Sequence, residues 1–565
     1  MLHRRLLLLF LFAAIYVADA QQPVLPYTSI KTAISNKGAV VSAHPLASAA
    51  GLAMLKKGGN AFDAAIATQF ALAVVYPGAG NIGGGGFLVG HTRNGKNICI
   101  DYRETAPEKA HRDMYLDSAG NPKPILAQQG RLAAGVPGTV AGIFKTLPYA
   151  RLPIAILIEP AIQLAKKGFR ITAAQAENFN KFREAFLKNN RQPIAFVKDE
   201  AWKEGDLLIQ EALASTLERI KKNGLKGFYS GETARLIIEE MTAGNGIISF
   251  NDLANYQAKF REVIDFEYKG HRIISTPLPS SGGILLQQLL GMTATKNIGT
   301  MGFQTAASVQ WMVEAERRAY ADRASFLGDA DFTKVPLKKL VSRDYLQERI
   351  NDFTFGKAGS SKDTKAGDIK ESEETTHISI IDKEGNAVAV TTTLNDNFGC
   401  KTVVSGAGFL LNNEMDDFSI KEGFPNLYGV TGNAANAIAP GKRMLSSMTP
   451  TIVIKDNRPI IVVGSPGGST IPTSVFQTLV NLIDFQLSPS DAVNKPKFHH
   501  QWLPDIIDTE AGFPVSVSKD LEAMGYKLNT RLPIGRTELI FIDYRKGRKI
   551  TSIADSRGDD SASAY

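Results

Sequence analysis

The chain has 565 residues, enough to bury a large core and, by length alone, to form about two to four domains. With 44% hydrophobic and 21% charged residues it has the composition of a globular protein, and its 50 glycines imply many tight turns. The net charge of +8 is dispersed instead of gathered into a basic block, so it reads as solubility and excludes a nucleic-acid-binding tract.

The N-terminus reads as a processing signal. His3-Arg4-Arg5 supplies positive charge, residues 6–17 form a short apolar stretch, and Ala18-Asp19-Ala20 places small residues at a cleavage site. A signal peptide over 1–20 implies a periplasmic or secreted protein beginning near Gln21. The apolar stretch is too short to cross a bilayer of about 30 Å, and no later segment is longer, so no membrane span is expected. Cys99 and Cys400 are the two cysteines; a disulfide and two buried thiols both remain open. Neither zinc-type Cys/His spacing nor HExxH occurs, so no metal and no cofactor is expected.

Next come short strands at 32–34 and 39–42. His44-Pro45 opens a helix that stops at Gly58-Gly59, and Asn60 caps a second, with Asp63 near its positive end. That second helix, 61–75, is apolar almost all round and should be buried. Gly83-Gly84-Gly85-Gly86-Phe87 then feeds a strand. No Lys-Ser/Thr follows and the spacing is not GxGxxG before a helix, so close backbone packing explains the glycines better than phosphate binding. Helical periodicity dominates the middle of the chain, at 154–167, 210–223, 231–241, 284–290 and 307–327. A polar linker follows at 356–374. Beyond it strands are expected at 376–382, 387–394, 408–411, 451–454 and 460–464, with a helix at 475–485. Helices preceding and following a mostly antiparallel sheet system along the chain argue for a layered α+β arrangement in one compact body.

The seam at Glu374-Thr375-Thr376-His377 joins the linker to a strand. A self-cleaving precursor would expose a new N-terminus at such a seam, and an N-terminal threonine carries both a hydroxyl nucleophile and its own base, the α-amine. The turn signal Asp382-Lys383-Glu384-Gly385-Asn386 makes the two strands a hairpin. If the turn centres on Glu384, Thr375 stands opposite Thr393, and Asn395 follows on the same face. An ordinary Thr-rich hairpin would read the same way.

Six further segments matter beside such a threonine. Arg103 stands between a strand and a proline-stopped loop, and Asn412-Asn413-Glu414-Met415-Asp416-Asp417-Phe418 crowds carboxylates into a turn. Tyr428 tips a surface loop, Ser446 and Ser447 are adjacent hydroxyls, and Gly467-Gly468 bares N–H groups between a strand and a helix. The aromatic stretch Phe498-His499-His500-Gln501-Trp502 reads as packing. Singly, these are also an ion pair, a solvated turn or calcium loop, a cap and a helix entry. Together they are complementary: an α-amino acid head group needs a cation and hydroxyls for its carboxylate and carboxylates for its ammonium, while a tetrahedral intermediate needs paired N–H donors.

On these motifs the chain, from about residue 30 onward, resembles the γ-glutamyltranspeptidases (glutathione hydrolases), within the N-terminal-nucleophile hydrolases. The resemblance implies a four-layer αββα sandwich made as one precursor, cleaved between Glu374 and Thr375 into a large subunit (21–374) and a small subunit (375–565) that stay together as a heterodimer. It implies that Thr375 forms a γ-glutamyl-enzyme from glutathione or related amides, resolved by water or by an amino acid or peptide acceptor. Gly467 and Gly468 then form the oxyanion hole and Thr393 supports the nucleophile. Arg103, Ser446 and Ser447 hold the α-carboxylate, Asn395, Glu414 and Asp417 the α-ammonium, and Tyr428 belongs to a lid. Departures from the family pattern are Thr392, Ala434, Met444 and Thr470; they bear on acceptor preference, and none removes a catalytic group. The rival readings are a β-lactam (glutaryl-cephalosporin type) acylase, which would not need Asp417, a γ-polyglutamate-processing enzyme, and an unprocessed binding protein.

Overall fold

A computed structural model describes residues 27–361, 375–430 and 432–565. The expected signal peptide and Glu374 lie outside the described residues. Two seven-stranded sheets, antiparallel at every pairing, form the centre of the molecule. The first runs in the order Ser561–Ala564, Ala39–Ser42, Thr376–Ile381, Ala387–Thr393, Gly85–His91, Asn97–Asp101, Lys259–Arg261. The second runs Thr32–Ser35, Lys549–Ile553, Glu538–Asp543, Arg458–Gly464, Thr451–Lys455, His271–Ser275, Ile264–Tyr268.

Alternation along the strands builds four layers. Val41, Val89 and Ala389 of the first sheet pack on Ile274, Ile452, Val462 and Ile540 of the second, forming the core between the sheets. Their neighbours Val40, Leu88, Ile378 and Val390 point the other way, into helices that include Pro45–Lys56 and Ala61–Val75. On the opposite side Ile273, Val453, Val463 and Leu539 pack on Gly282–Thr293, Ala306–Phe326 and Thr470–Ile483. The period of two thus feeds three cores at once, giving the αββα order.

Several local expectations hold. All 15 residues of Ala61–Val75 are buried, and Asn60 and Asp63 form a reciprocal capping box: Asn60 Oδ1 accepts from Asp63 N at 3.2 Å and Asp63 Oδ2 from Asn60 N at 2.7 Å. Others need correction. The helix expected over 154–167 divides into Ile154–Leu157 and Glu159–Lys167, because Pro160 has no N–H to continue the first helix and fits the first turn of the second. Residues 408–411 form no strand; Gly408 has φ 77°, and only the bridge Val403–Leu410 forms there. Cys99 and Cys400 are free buried thiols lying in different cores.

The four glycines serve close approach. None has positive φ. Yet a Cβ on Gly83 would overlap the carbonyl oxygen of Leu410, on Gly84 that of Thr393, on Gly85 that of Tyr102, and on Gly86 that of Thr391. Gly84→Ala is therefore expected to act by overpacking, lowering stability by about 1–3 kcal/mol. Thermal unfolding checks this, and an unchanged midpoint would show that the Thr393 carbonyl can move aside.

Candidate active site

The hairpin has the expected register. Thr376 faces Thr392, His377 faces Thr391 and Ile381 faces Ala387, so the same register places Thr375, one residue before the strand, opposite Thr393. Odd-numbered residues here face the second sheet, where a polar ladder replaces the aliphatic core. His377 Nδ1 lies 2.8 Å from Thr391 Oγ1 and Nε2 lies 3.2 Å from Ser379 Oγ, which donates to the Glu538 carbonyl at 2.9 Å. Burial lowers the His377 pKa to about 3, so the ring is neutral and orients its neighbours instead of carrying charge. Thr393 Oγ1 accepts from Asn395 N at 2.8 Å, while Asn81 Nδ2 donates to the Thr393 carbonyl at 2.9 Å. Asn395, at φ 79°, turns the chain off the strand, and its Nδ2 donates to Asn413 O at 3.1 Å.

Arg103 leaves the end of strand Asn97–Asp101 fully buried. The 3₁₀ turn Glu414–Asp417 eclipses residues three apart, so Glu414 and Asp417 both face it. Arg103 Nη1 lies 2.5 Å from Glu414 Oε2, Nη2 pairs with Asp417 Oδ2, and Glu104 Oε2 stands 3.7 Å from Nη1. Asn412 holds the turn in place, donating to the Gly83 and Gly135 carbonyls at 2.9 Å each. Burial pushes the Glu414 and Asp417 carboxyls up against the opposing pull of Arg103, and Glu104 reaches about 8. From the sequence, Arg103 is either a cation awaiting a carboxylate or a member of an ion pair. In the structure carboxylates already neutralise it, as a buried guanidinium requires.

Ser446 and Ser447 lie on an irregular segment clamped by the loop ahead of helix Gly282–Thr293. Ser446 N donates to Pro279 O at 2.8 Å, Ser281 N to Ser446 O at 2.8 Å, and Ser280 Oγ to Met448 O at 2.7 Å. Between strand Arg458–Gly464 and helix Thr470–Ile483 the chain passes through Gly467 at φ 131° and Gly468 at φ 53°, both in the region that favours glycine. A Cβ on Gly468 would overlap the Tyr428 ring. Tyr428 Oη donates to the Asn395 carbonyl, and Gln501 Nε2 donates to the Tyr428 carbonyl at 3.2 Å. Asn426, in the same loop, donates to Asp417 Oδ1 at 2.8 Å, which ties the loop to the carboxylates.

One cavity gathers Thr375, Thr393, Asn395, Arg103, Asp417, Tyr428, Ser446, Ser447 and Gly468. Glu414 sits behind Arg103 and Gly467 beside Gly468; neither lines the cavity. Two polar lining residues, Asn426 and Arg323, have no role assigned from the sequence. Arg323 lies on Ala306–Phe326, where Glu314, Glu316, Arg317, Arg318, Asp322 and Arg323 are all buried. Charges distributed around a long helix are the signal that would have found it. Among the described residues no group of three or more His, Cys, Asp or Glu side chains is placed to hold a metal ion.

Residues 47–565 match the family model described as gamma-glutamyltranspeptidase. The glutathione hydrolase proenzyme of Escherichia coli K12 is 45% identical over 513 residues, covering 90% of this chain and 88% of that protein. Among solved structures, the cephalosporin acylase of Bacillus halodurans superposes with a TM-score of 0.83 at 26% identity, covering 96% of this chain and 99% of that one. A Helicobacter pylori gamma-glutamyltranspeptidase chain gives a TM-score of 0.54 at 45% identity, covering 58% of this chain and 93% of that one. The family match over most of the sequence places this chain in the γ-glutamyltranspeptidase family.

Proposed function

We propose that the cavity at Thr375 carries out two acyl transfers in succession, first on the chain itself and then on γ-glutamyl substrates such as glutathione. The observation that carries the reading is the meeting in one cavity of the candidate nucleophile with Asp417, two serines and Gly468 of the Gly-Gly turn.

In the first transfer the Thr375 hydroxyl attacks the Glu374 carbonyl. An O–C bond forms, the C–N bond breaks, and the α-amine of Thr375 is released bearing the proton. Water then cleaves the ester, leaving pieces 21–374 and 375–565 once residues 1–20 are removed in a periplasmic or secreted protein. Both pieces supply strands to both sheets, which supports a heterodimer that stays assembled. In the second transfer the freed α-amine, with an ordinary pKa of about 8, takes the Thr375 hydroxyl proton as Oγ attacks the γ-glutamyl carbonyl. Gly467 and Gly468 N–H groups receive the oxyanion, and Thr393 positions Thr375. The α-carboxylate goes to Arg103, Ser446 and Ser447, and the α-ammonium to Asn395, Glu414 and Asp417, under the Tyr428 loop. Water, or the amine of an amino acid or peptide, then takes the acyl group. The fold likeness to an acylase supports the same nucleophile with another acyl group. The surplus of carboxylates around Arg103 favours a group bearing an ammonium.

Intact mass tests the first transfer: wild type should appear as two fragments divided at Glu374/Thr375, and Thr375→Ala as a whole, inactive chain. A wild-type chain that stays whole on prolonged incubation would sink the mechanism. For the second, Asp417→Asn should raise KM for γ-glutamyl-p-nitroanilide about ten- to a hundredfold, the worth of a charge-assisted hydrogen bond. Because the Asp417 pKa is raised, the wild-type carboxylate loses its charge at a pH where an ordinary one keeps it. KM should therefore climb on acidification from above the usual carboxylate range, and Asp417→Asn should lack that climb. Steady-state kinetics against pH reads both.

A further inference from the structure

The cavity holds two buried arginines in unlike electrostatic states. Arg103 is neutralised by Glu414 and Asp417. Arg323, 6% exposed, makes no ion pair among the described residues. Its Nε donates to Ser281 Oγ at 3.0 Å and its Nη2 to Ser447 Oγ at 3.3 Å. Asp417, in the same cavity, attracts Arg323 only from beyond ion-pair distance, so this buried cation is less fully compensated than Arg103.

Donor and acceptor roles follow from the chemistry. A guanidinium only donates, so Ser447 Oγ accepts from Arg323 and its own proton must point elsewhere. Ser446 Oγ likewise accepts from Met448 N at 3.1 Å. Ser281, which accepts from Arg323, passes its proton to the Ser446 carbonyl at 2.7 Å and so fixes the segment. Neither Ser446 nor Ser447 donates its hydroxyl proton to a described residue. Both hydroxyls are held from behind as acceptors, leaving two protons for an anion in the cavity.

We propose that Arg323 is a positioning and specificity residue: it sets Ser446 and Ser447 as paired donors and adds a positive charge not held in an ion pair, which favours acyl groups bearing an α-carboxylate. The proposal rests on the γ-glutamyl reading of the site and deepens it. Arg103 keeps its place beside the α-carboxylate, and Arg323 acts on the same carboxylate through Ser447.

Three p-nitroanilides separate the charges: γ-glutamyl has both, glutaryl lacks the ammonium, and 4-aminobutyryl lacks the carboxylate. Arg323→Gln should raise KM for the two carboxylate-bearing substrates about ten- to a hundredfold with kcat within about threefold, so that preference for γ-glutamyl over 4-aminobutyryl collapses. Arg323→Lys should restore part of the preference, since it keeps the charge without the fork. Ser447→Ala should show the same substrate pattern as Arg323→Gln and carries the test if that variant fails to self-cleave. Equal loss on all three substrates, or an unchanged KM for γ-glutamyl, overturns the proposal. A wild type that does not prefer γ-glutamyl to 4-aminobutyryl overturns the underlying reading instead.

Discussion

The geometry of this protein depends on one antiparallel pairing, Thr376–Ile381 against Ala387–Thr393, at the centre of the first sheet. A slip of one residue would turn Ile378 and Ile380 from the helical core toward the second sheet and Thr375 away from Thr393. The slip is blocked on both sides. Ala39–Ser42 pairs with one strand and Gly85–His91 with the other, and the glycines before and within the latter let the Thr391 and Thr393 carbonyls approach without side-chain interference. His377, Thr391 and Ser379 fill the inner face with polar contacts that only this register satisfies. Local strand chemistry, neighbouring backbone and buried hydrogen bonds therefore agree on where Thr375 stands.

That agreement also bears on cleavage. Segments before residue 361 and after residue 375 alternate within both sheets: Ala39–Ser42 lies between Ser561–Ala564 and Thr376–Ile381, and Thr32–Ser35 pairs with Lys549–Ile553. Separating them would open ladders in each sheet and expose the core between the sheets. Cutting one peptide bond removes chain connectivity but none of these contacts, so a processed molecule keeps the energetic reasons of the precursor to stay folded.

Much of this was legible in the sequence because it was local. The turn centre at Glu384 gave the hairpin register, and Asn60 with Asp63 gave a cap confirmed in both directions. What escaped needed distant partners. The strands Glu538–Asp543, Lys549–Ile553 and Ser561–Ala564 are recognisable through the neighbours that bury them. Residues 408–411 are apolar enough for a strand, yet Gly408 takes φ 77° against the backbone at Leu213. Arg323 sits on a helix whose periodicity says nothing of the cavity, 124 residues from its partner Ser447. The pairing of Arg103 with Glu414 and Asp417 joins two separately visible motifs, and only three-dimensional proximity shows that they neutralise one another.

Proximity of that kind also defines the occupant. Around Arg103 the carboxylates of Glu104, Glu414 and Asp417 outnumber the guanidinium, and burial raises the pKa of each, so a further cation there is favoured. Around Ser447 the balance reverses, since among the described residues buried Arg323 has no carboxylate within ion-pair distance. One cavity thus lacks a positive charge at one wall and a negative charge at another. A glutaryl group would answer the second deficit and leave the first unanswered; a simple amine would answer the first alone. An α-amino acid head group answers both. On the proposed assignments, the charge pattern of the cavity selects a zwitterion, and with it the γ-glutamyl group over the acyl groups that the same fold can accommodate elsewhere.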